Sequence, residues 1–254
     1  DLTDNITSNT PNGSAIFGIF ADKSLKELAK SLSASDIAKI KETIKKSSFE
    51  GKVNQSLCVY ETSNKKLDKI YLVGLGEKNK YNEKSFLKSI NALSIICKNE
   101  NIRNIYLGIS TLINNKIGMG WVIRNTSIHL NGIDYHYDET KNKTKNKSNY
   151  KISKLFFVFN SIKKINKQDL KKYFSQGEAI ANGIKLAKNL GDLPSNICTP
   201  TYLAKTATSL GKTNKKLNVK IHDEKEMKKM GMNCLLSVGN GSKEPSKLIT
   251  INYS

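Results

Sequence analysis

Apolar residues recur at helical spacing across one long stretch of the chain. Leu170, Tyr173, Phe174, Gly177, Ile180, Ala181, Ile184 and Ala187 follow an i, i+3, i+4, i+7 order, and Lys171, Lys172, Lys185 and Lys188 fall mostly off that face. The pattern predicts a helix over residues 168–190. Gly191 suits its C-terminal cap, because a residue without a Cβ enters the left-handed region cheaply. Pro194 then stops any further helix and extends Leu193. Thr199 and Pro200 are suited to the cap and first turn of another helix over 201–210, which Gly211 would end.

Upstream, short apolar runs alternate with helical patterns. Residues 15–21, 57–60, 70–75, 102–109 and 152–159 read as strands, the near-continuous runs among them suiting a parallel sheet covered on both faces. Helical spacing marks 25–32, 37–44 (with Ser35 as cap before Asp36), 82–98 and 117–130. Phe86, Ile90, Leu93 and Cys97 share one face of the third, and Trp121 is expected in the core face of the fourth. Residues 138–149, DETKNKTKNKSN, carry too little apolar area to order themselves and read as a mobile loop. Downstream come strands at 219–222 and 248–253 with a short helix at 224–230. The predicted class is α/β: strands alternating with helices in a mostly parallel sheet, then a linking helix, then the first elements of a second α/β domain. The expected boundaries are 1–164, 165–192 and 193–254. A sheet ending at 248–253 would leave an unpaired edge, so the last part is expected to be incomplete.

The order of residues adds more than the pattern. Residues 177–204, GEAIANGIKLAKNLGDLPSNICTPTYLA, closely resemble the segment that opens the catalytic domain of the leucyl aminopeptidase (cytosol aminopeptidase) family. Residues 71–77, YLVGLGE, resemble that family's N-terminal strand and turn. Residues 231–253, GMNCLLSVGNGSKEPSKLITINY, resemble its stretch before the first catalytic strand. The resemblance is weakest at 23–51 and 138–149. It implies an N-terminal macro-like three-layer domain, a homohexamer, a cytoplasmic role in peptide catabolism and the release of Leu-like N-terminal residues. It also implies two divalent metal ions, zinc with manganese as a substitute, which polarise the scissile carbonyl and activate a bridging water. In the family those ions are held by a lysine and several carboxylates in motifs of the form VGKG…FDSGG and NTDAEGR. Neither motif occurs in this sequence. No catalytic, metal or cofactor residue is therefore assigned, and the chain alone is expected to be inactive, its metals bound by residues beyond it.

Composition narrows the alternatives. The formal net charge is +20, which invites a nucleic-acid reading because basic side chains displace counterions from phosphates. Yet Arg103 and Arg124 are the only arginines among 42 basic residues, and arginine is the side chain that forks onto phosphates and base edges. Lysine beside asparagine reads better as a solvated surface. Cys58, Cys97, Cys198 and Cys234 are widely spaced, as buried thiols in a reducing compartment would be. No apolar run has the length to cross a bilayer. The chain starts at Asp1, so a removed leader stays open.

Few residues offer chemistry of their own. Gly74-Leu75-Gly76 follows a strand, but Asn79 stands where a dinucleotide fingerprint needs a third glycine. A tight turn is the favoured reading there. A macro-like module would hold ADP-ribose at the same turn, although an unliganded scaffold is favoured. Asp134, His136 and Asp138 alternate and would share a strand face fit for a divalent ion, with a plain exposed face as the preferred reading. His129 and His222 lack ligand spacing to any partner. Gly239 to Ser242 could form an anion nest or, as favoured, a turn. Glu178, Asp192 and Asp223 lie on or near helix ends and do not replace the missing ligands.

Overall fold

The computed structural model describes residues 2–3, 6–7, 9–133, 135–137, 151–159 and 166–254. It divides into two compact units, Asp1–Lys185 and Leu186–Ser254.

The first unit is a three-layer α/β domain. Its strands are β1 (Leu2–Thr3), β2 (Gly13–Phe20), β3 (Ser56–Tyr60), β4 (Leu67–Gly76), β5 (Asn104–Gly108) and β6 (Lys154–Val158). They lie in the order β1-β6-β5-β2-β4-β3. All neighbours pair in parallel except β3, which runs antiparallel to β4 at the edge. The near-continuous apolar run at 57–60 predicts a parallel strand covered on both faces. The burial of β3 explains the difference: only Val59 is fully buried, so this strand has one covered face, as antiparallel edges tolerate.

Side chains alternate across the central strands and feed two cores. Ala15, Phe17 and Ile19 of β2 join Ile70, Leu72 and Tyr106 under helix α1 (Ala34–Lys46), whose Ile40 and Ile44 face them. On the other face, Ile16, Val73, Leu75, Ile105 and Leu107 meet α2 (Glu83–Asn99) and α3 (Met119–Asn131). The expected face of α2, Phe86, Ile90, Leu93 and Cys97, is buried along its whole length. Trp121 is only half-buried and sets its ring edge-on to Phe86 at 5.1 Å.

Local chemistry moves some boundaries. Residues 25–32 form a single 3-10 turn at Leu28–Lys30 rather than a helix. Leu25 and Leu28 are buried all the same, and the extended backbone of Ser33 cuts the segment short. The cap of α1 is Ser33, not Ser35: its Oγ accepts the Asp36 N–H at 3.1 Å and donates to the Asp36 carboxylate at 2.9 Å. That carboxylate is buried and also accepts the Ser63 N–H and hydroxyl, each at 2.7 Å, tying α1 to the β3–β4 connection. Ser33→Ala should therefore cost about 1–2 kcal/mol, read as a lower urea midpoint, since it removes a cap and one donor of a buried anion.

Helix α4 (Lys167–Asp192) begins in the first unit. Its early face is packed as the spacing requires: Leu170 and Ala181 are buried, and Phe174 meets Phe157 edge-on. Gly177 is there because a Cβ would come within 2.6 Å of the Arg124 carbonyl oxygen on α3. Beside Ala181, Ile180 and Ile184 are exposed although the spacing puts them on the apolar face. Gly191 does not cap this helix, which continues through it to Asp192; its φ is not positive.

The second unit holds α5 (Pro200–Thr213), β7 (Leu217–His222), α6 (Glu224–Lys229), α7 (Asn233–Gly239) and β8 (Leu248–Tyr253). β7 and β8 pair antiparallel over six residues each. Thr199 caps α5 by accepting the Tyr202 N–H at 3.3 Å, with Pro200 in the first turn. Gly211 lies inside α5 rather than at its end: a Cβ there would press on Val219 of β7, so the glycine serves helix-to-strand packing. The short helix α7 has no counterpart in the sequence reading.

Candidate functional site

Several residues singled out from the sequence have an identifiable local task. Gly74 and Gly76 do not form an open phosphate loop. The Gly74 N–H donates to the Gln55 carbonyl at 2.9 Å, and the Gly76 N–H donates to the Gly51 carbonyl at 2.8 Å. The loop at 51–55 lies so close to β4 that a Cβ on Gly74 would collide with the Lys52 carbonyl oxygen, and Gly76 has φ +80°. Both glycines are spent on this close approach.

His136 is exposed in a segment without regular secondary structure, while Asp134 and Asp138 lie outside the described residues, as does the 138–149 stretch. His129 on α3 is half-buried, and burial pushes its pKa down. His222 places Nδ1 3.2 Å from Glu226, one helical turn away. Asp223 accepts the Glu226 N–H at 2.9 Å as the cap of α6; that hydrogen bond and nearby lysines hold its carboxyl below the usual range. Glu178 and Asp192 are exposed on α4. The Gly239–Ser242 turn closes on itself, with the Asn240 and Ser242 N–H groups donating to the Ser237 and Gly239 carbonyls at 3.4 and 3.0 Å, so it is not an anion nest. Among the described residues, no group of three or more His, Cys, Asp or Glu is placed to hold a metal ion. The two-ion centre that the sequence resemblance implies does not fit these residues.

One expectation is revised and one feature escaped the sequence reading: of the four cysteines expected to be buried only Cys97 is, while Cys58 and Cys198 are half-buried and Cys234 is exposed. Cys58 of β3 faces Tyr71 of β4 across the ladder. Burial pushes this thiol's pKa up, against hydrogen bonds with Tyr60 and Tyr71 that pull it down. It is a protonated packing thiol and not an activated nucleophile. The missed feature is a cleft of about 710 Å³ at the C-terminal ends of β2, β4 and β5, with Gly18, Phe20, Lys78 and Thr111 among its walls. Its floor is fixed by the Gly18 N–H, which donates to Thr111 Oγ1 at 2.8 Å, while that hydroxyl donates to the Gly108 carbonyl at 2.6 Å. No periodicity signals a cleft, because its lining comes from loops more than ninety residues apart.

The mostly parallel sheet with helices on both faces has counterparts among solved structures. The profile of the cytosol aminopeptidase family's N-terminal domain matches residues 16–144, and that of the same family's catalytic domain matches residues 185–254. The chain belongs to the cytosol aminopeptidase family. Among similar curated proteins, a probable cytosol aminopeptidase of Nitrosomonas eutropha is 31% identical over 238 residues, covering 94% of this chain and 47% of the relative. One from Blochmanniella floridana is 31% identical over 256 residues, covering 100% and 50%. Among solved structures, a tomato leucine aminopeptidase mutant superposes with TM-score 0.72 at 18% identity, over 98% of this chain and 49% of that one. A bottromycin maturation enzyme, BotP, in complex with Mn gives 0.71 at 16%, over 95% and 45%. The chain thus spans about half the length of the curated relatives it matches.

Proposed function

We propose that this chain is the N-terminal portion of a metal-dependent leucyl aminopeptidase that releases Leu-like N-terminal residues from peptides. In this reading residues 1–164 are an assembly and regulatory domain, 165–192 a linking helix and 193–254 the opening of the catalytic domain. The chain supplies scaffold and oligomer contacts. The metal ligands come from polypeptide beyond it. The observation that carries the reading is the succession of two profiles of one family, in order, along a chain half as long as its relatives.

Further parts of the proposal are a homohexamer, peptides as substrates and a cytoplasmic location. No helix among the described residues is long and apolar enough to cross a membrane. The metals are proposed to be two zinc ions with manganese as a substitute, and the Mn-bound relative supports a divalent requirement. No dedicated nucleic-acid face is proposed, since forty of the 42 basic residues are lysine.

The test is a polypeptide in which this chain is continued by the second half that its relatives possess. It should release leucine from leucinamide in the presence of Zn²⁺ or Mn²⁺ and lose that activity with a chelator. A folded, metal-loaded protein of full length with no aminopeptidase turnover would refute the reading.

A further inference from the structure

The sheet of the first unit ends on two different edges. On one side β1 is only two residues long, and so short a strand offers a neighbour little to pair with. On the other side β3 runs five residues, Ser56–Tyr60, in unbroken antiparallel register with β4. The Gly74 N–H donates to the Gln55 carbonyl, which puts residues 55, 57 and 59 in the pairs bonded to β4. The backbone N–H and C=O groups of Ser56, Cys58 and Tyr60 therefore point away from the sheet. Among the described residues nothing pairs with them.

Proteins blunt such an edge with proline, lysine or a bulge. β3 has none of these. The omission is informative in a chain where forty of the 42 basic residues are lysine. Lys69, opposite Tyr60 on β4, is neutralised by Glu100 at 2.7 Å and lies over the Tyr60 ring at 5.1 Å from its centroid. An acidic partner, which the cationic surface elsewhere would attract, gains nothing at this uncharged edge.

We propose that two copies of this chain join by antiparallel pairing of β3 with β3 about a two-fold axis at Cys58. The register matches itself. Cys58 pairs with its own counterpart and Ser56 with the counterpart of Tyr60, so all three outward residues find partners at once. Their side chains share one face, and the Tyr60 ring, 57% exposed, lies against the small Ser56 across the axis. No charged side chain of β3 meets another, so a chain of net charge +20 can approach itself here. The inference deepens the assembly role proposed for residues 1–164. Pairing can fail while a full-length protein still hydrolyses leucinamide, so the two readings fail separately.

The test is sedimentation equilibrium of the 254-residue chain, which should pass with rising concentration from 28.3 kDa to twice that mass. Ser56→Pro removes an outward N–H that β4 does not use and should weaken the dimer by about tenfold or more, with an unchanged circular dichroism spectrum. Tyr60→Lys gives the edge a protecting charge at an exposed position and should do the same, so the proposal stays testable if the proline variant misfolds. Tyr253→Lys, on the exposed end of β8 in the second unit, is the control and should leave the dimer constant unchanged. A monomer at every concentration would leave the edge to a foreign strand and overturn the proposal. So would a dimer unmoved by both β3 variants, or one dissociated by Tyr253→Lys alone, which would put the contact in the second unit.

Discussion

Phe86→Ala should lower the stability of the first unit by about 3–5 kcal/mol. Phe86 has no exposed surface, sits where α2 meets the sheet, and closes the core edge-on to Trp121. Truncation removes the transfer energy of a ring and leaves a void that α2, α3 and the sheet cannot all collapse into. Trp121 is the chain's only tryptophan, so urea unfolding followed by its fluorescence reads this unit directly. Ile95, on the outer face of the same helix and 56% exposed, is the control: Ile95→Ala should shift stability by no more than about 0.5 kcal/mol. Equal shifts for the two variants would mean that α2 does not pack by the face described.

The second large effect is at Gly74. Gly74→Val should cost about 3 kcal/mol or more, at the upper end of what overpacking does. A Cβ at this position collides with the Lys52 carbonyl oxygen and lies 2.8 Å from the Gly51 carbonyl carbon. These are backbone atoms, so no rotamer change relieves the clash. The loop must leave β4 and give up the hydrogen bonds to Gln55 and Gly51. Gly183→Ala is the contrasting case, since nothing lies within 4 Å of an added Cβ in mid-helix. It should stabilise the chain by about 0.5–1 kcal/mol. Both are read as shifts in the urea midpoint. A tolerated valine at position 74 would restore an open turn there, and with it the possibility of a ligand at these glycines.

The contrast between these two glycines shows where the sequence was legible. Periodicity reports which face of an element is buried, so α2, β2, β4 and the start of α4 were readable from Phe86, Ile16, Leu72 and Leu170. It does not report what approaches from far along the chain. Gly191 and Gly211 both looked like helix ends. The first sits in a helix that continues, and the second is required by Val219, which no local window contains. The direction of β3 was misread because a short apolar run is similar in parallel and antiparallel sheets. The cap expected at Ser35 falls to Ser33, whose hydroxyl both accepts the Asp36 N–H and donates to the buried Asp36 carboxylate. The family was legible for a different reason: residues 71–77, 177–204 and 231–253 resemble its segments in the same order, which periodicity alone does not report. The cleft beyond β2 and β5 was not legible, because it exists only once the strand order is known.

In the proposed function this polypeptide builds a scaffold and the opening of a catalytic domain but contributes no metal ligand. The most direct measurement is leucinamide hydrolysis by the pure 254-residue chain with Zn²⁺ or Mn²⁺ added. The predicted result is no release of leucine above the metal-only blank. Turnover that scales with the chain's concentration and disappears with a chelator would place a working metal centre within these residues and contradict the account.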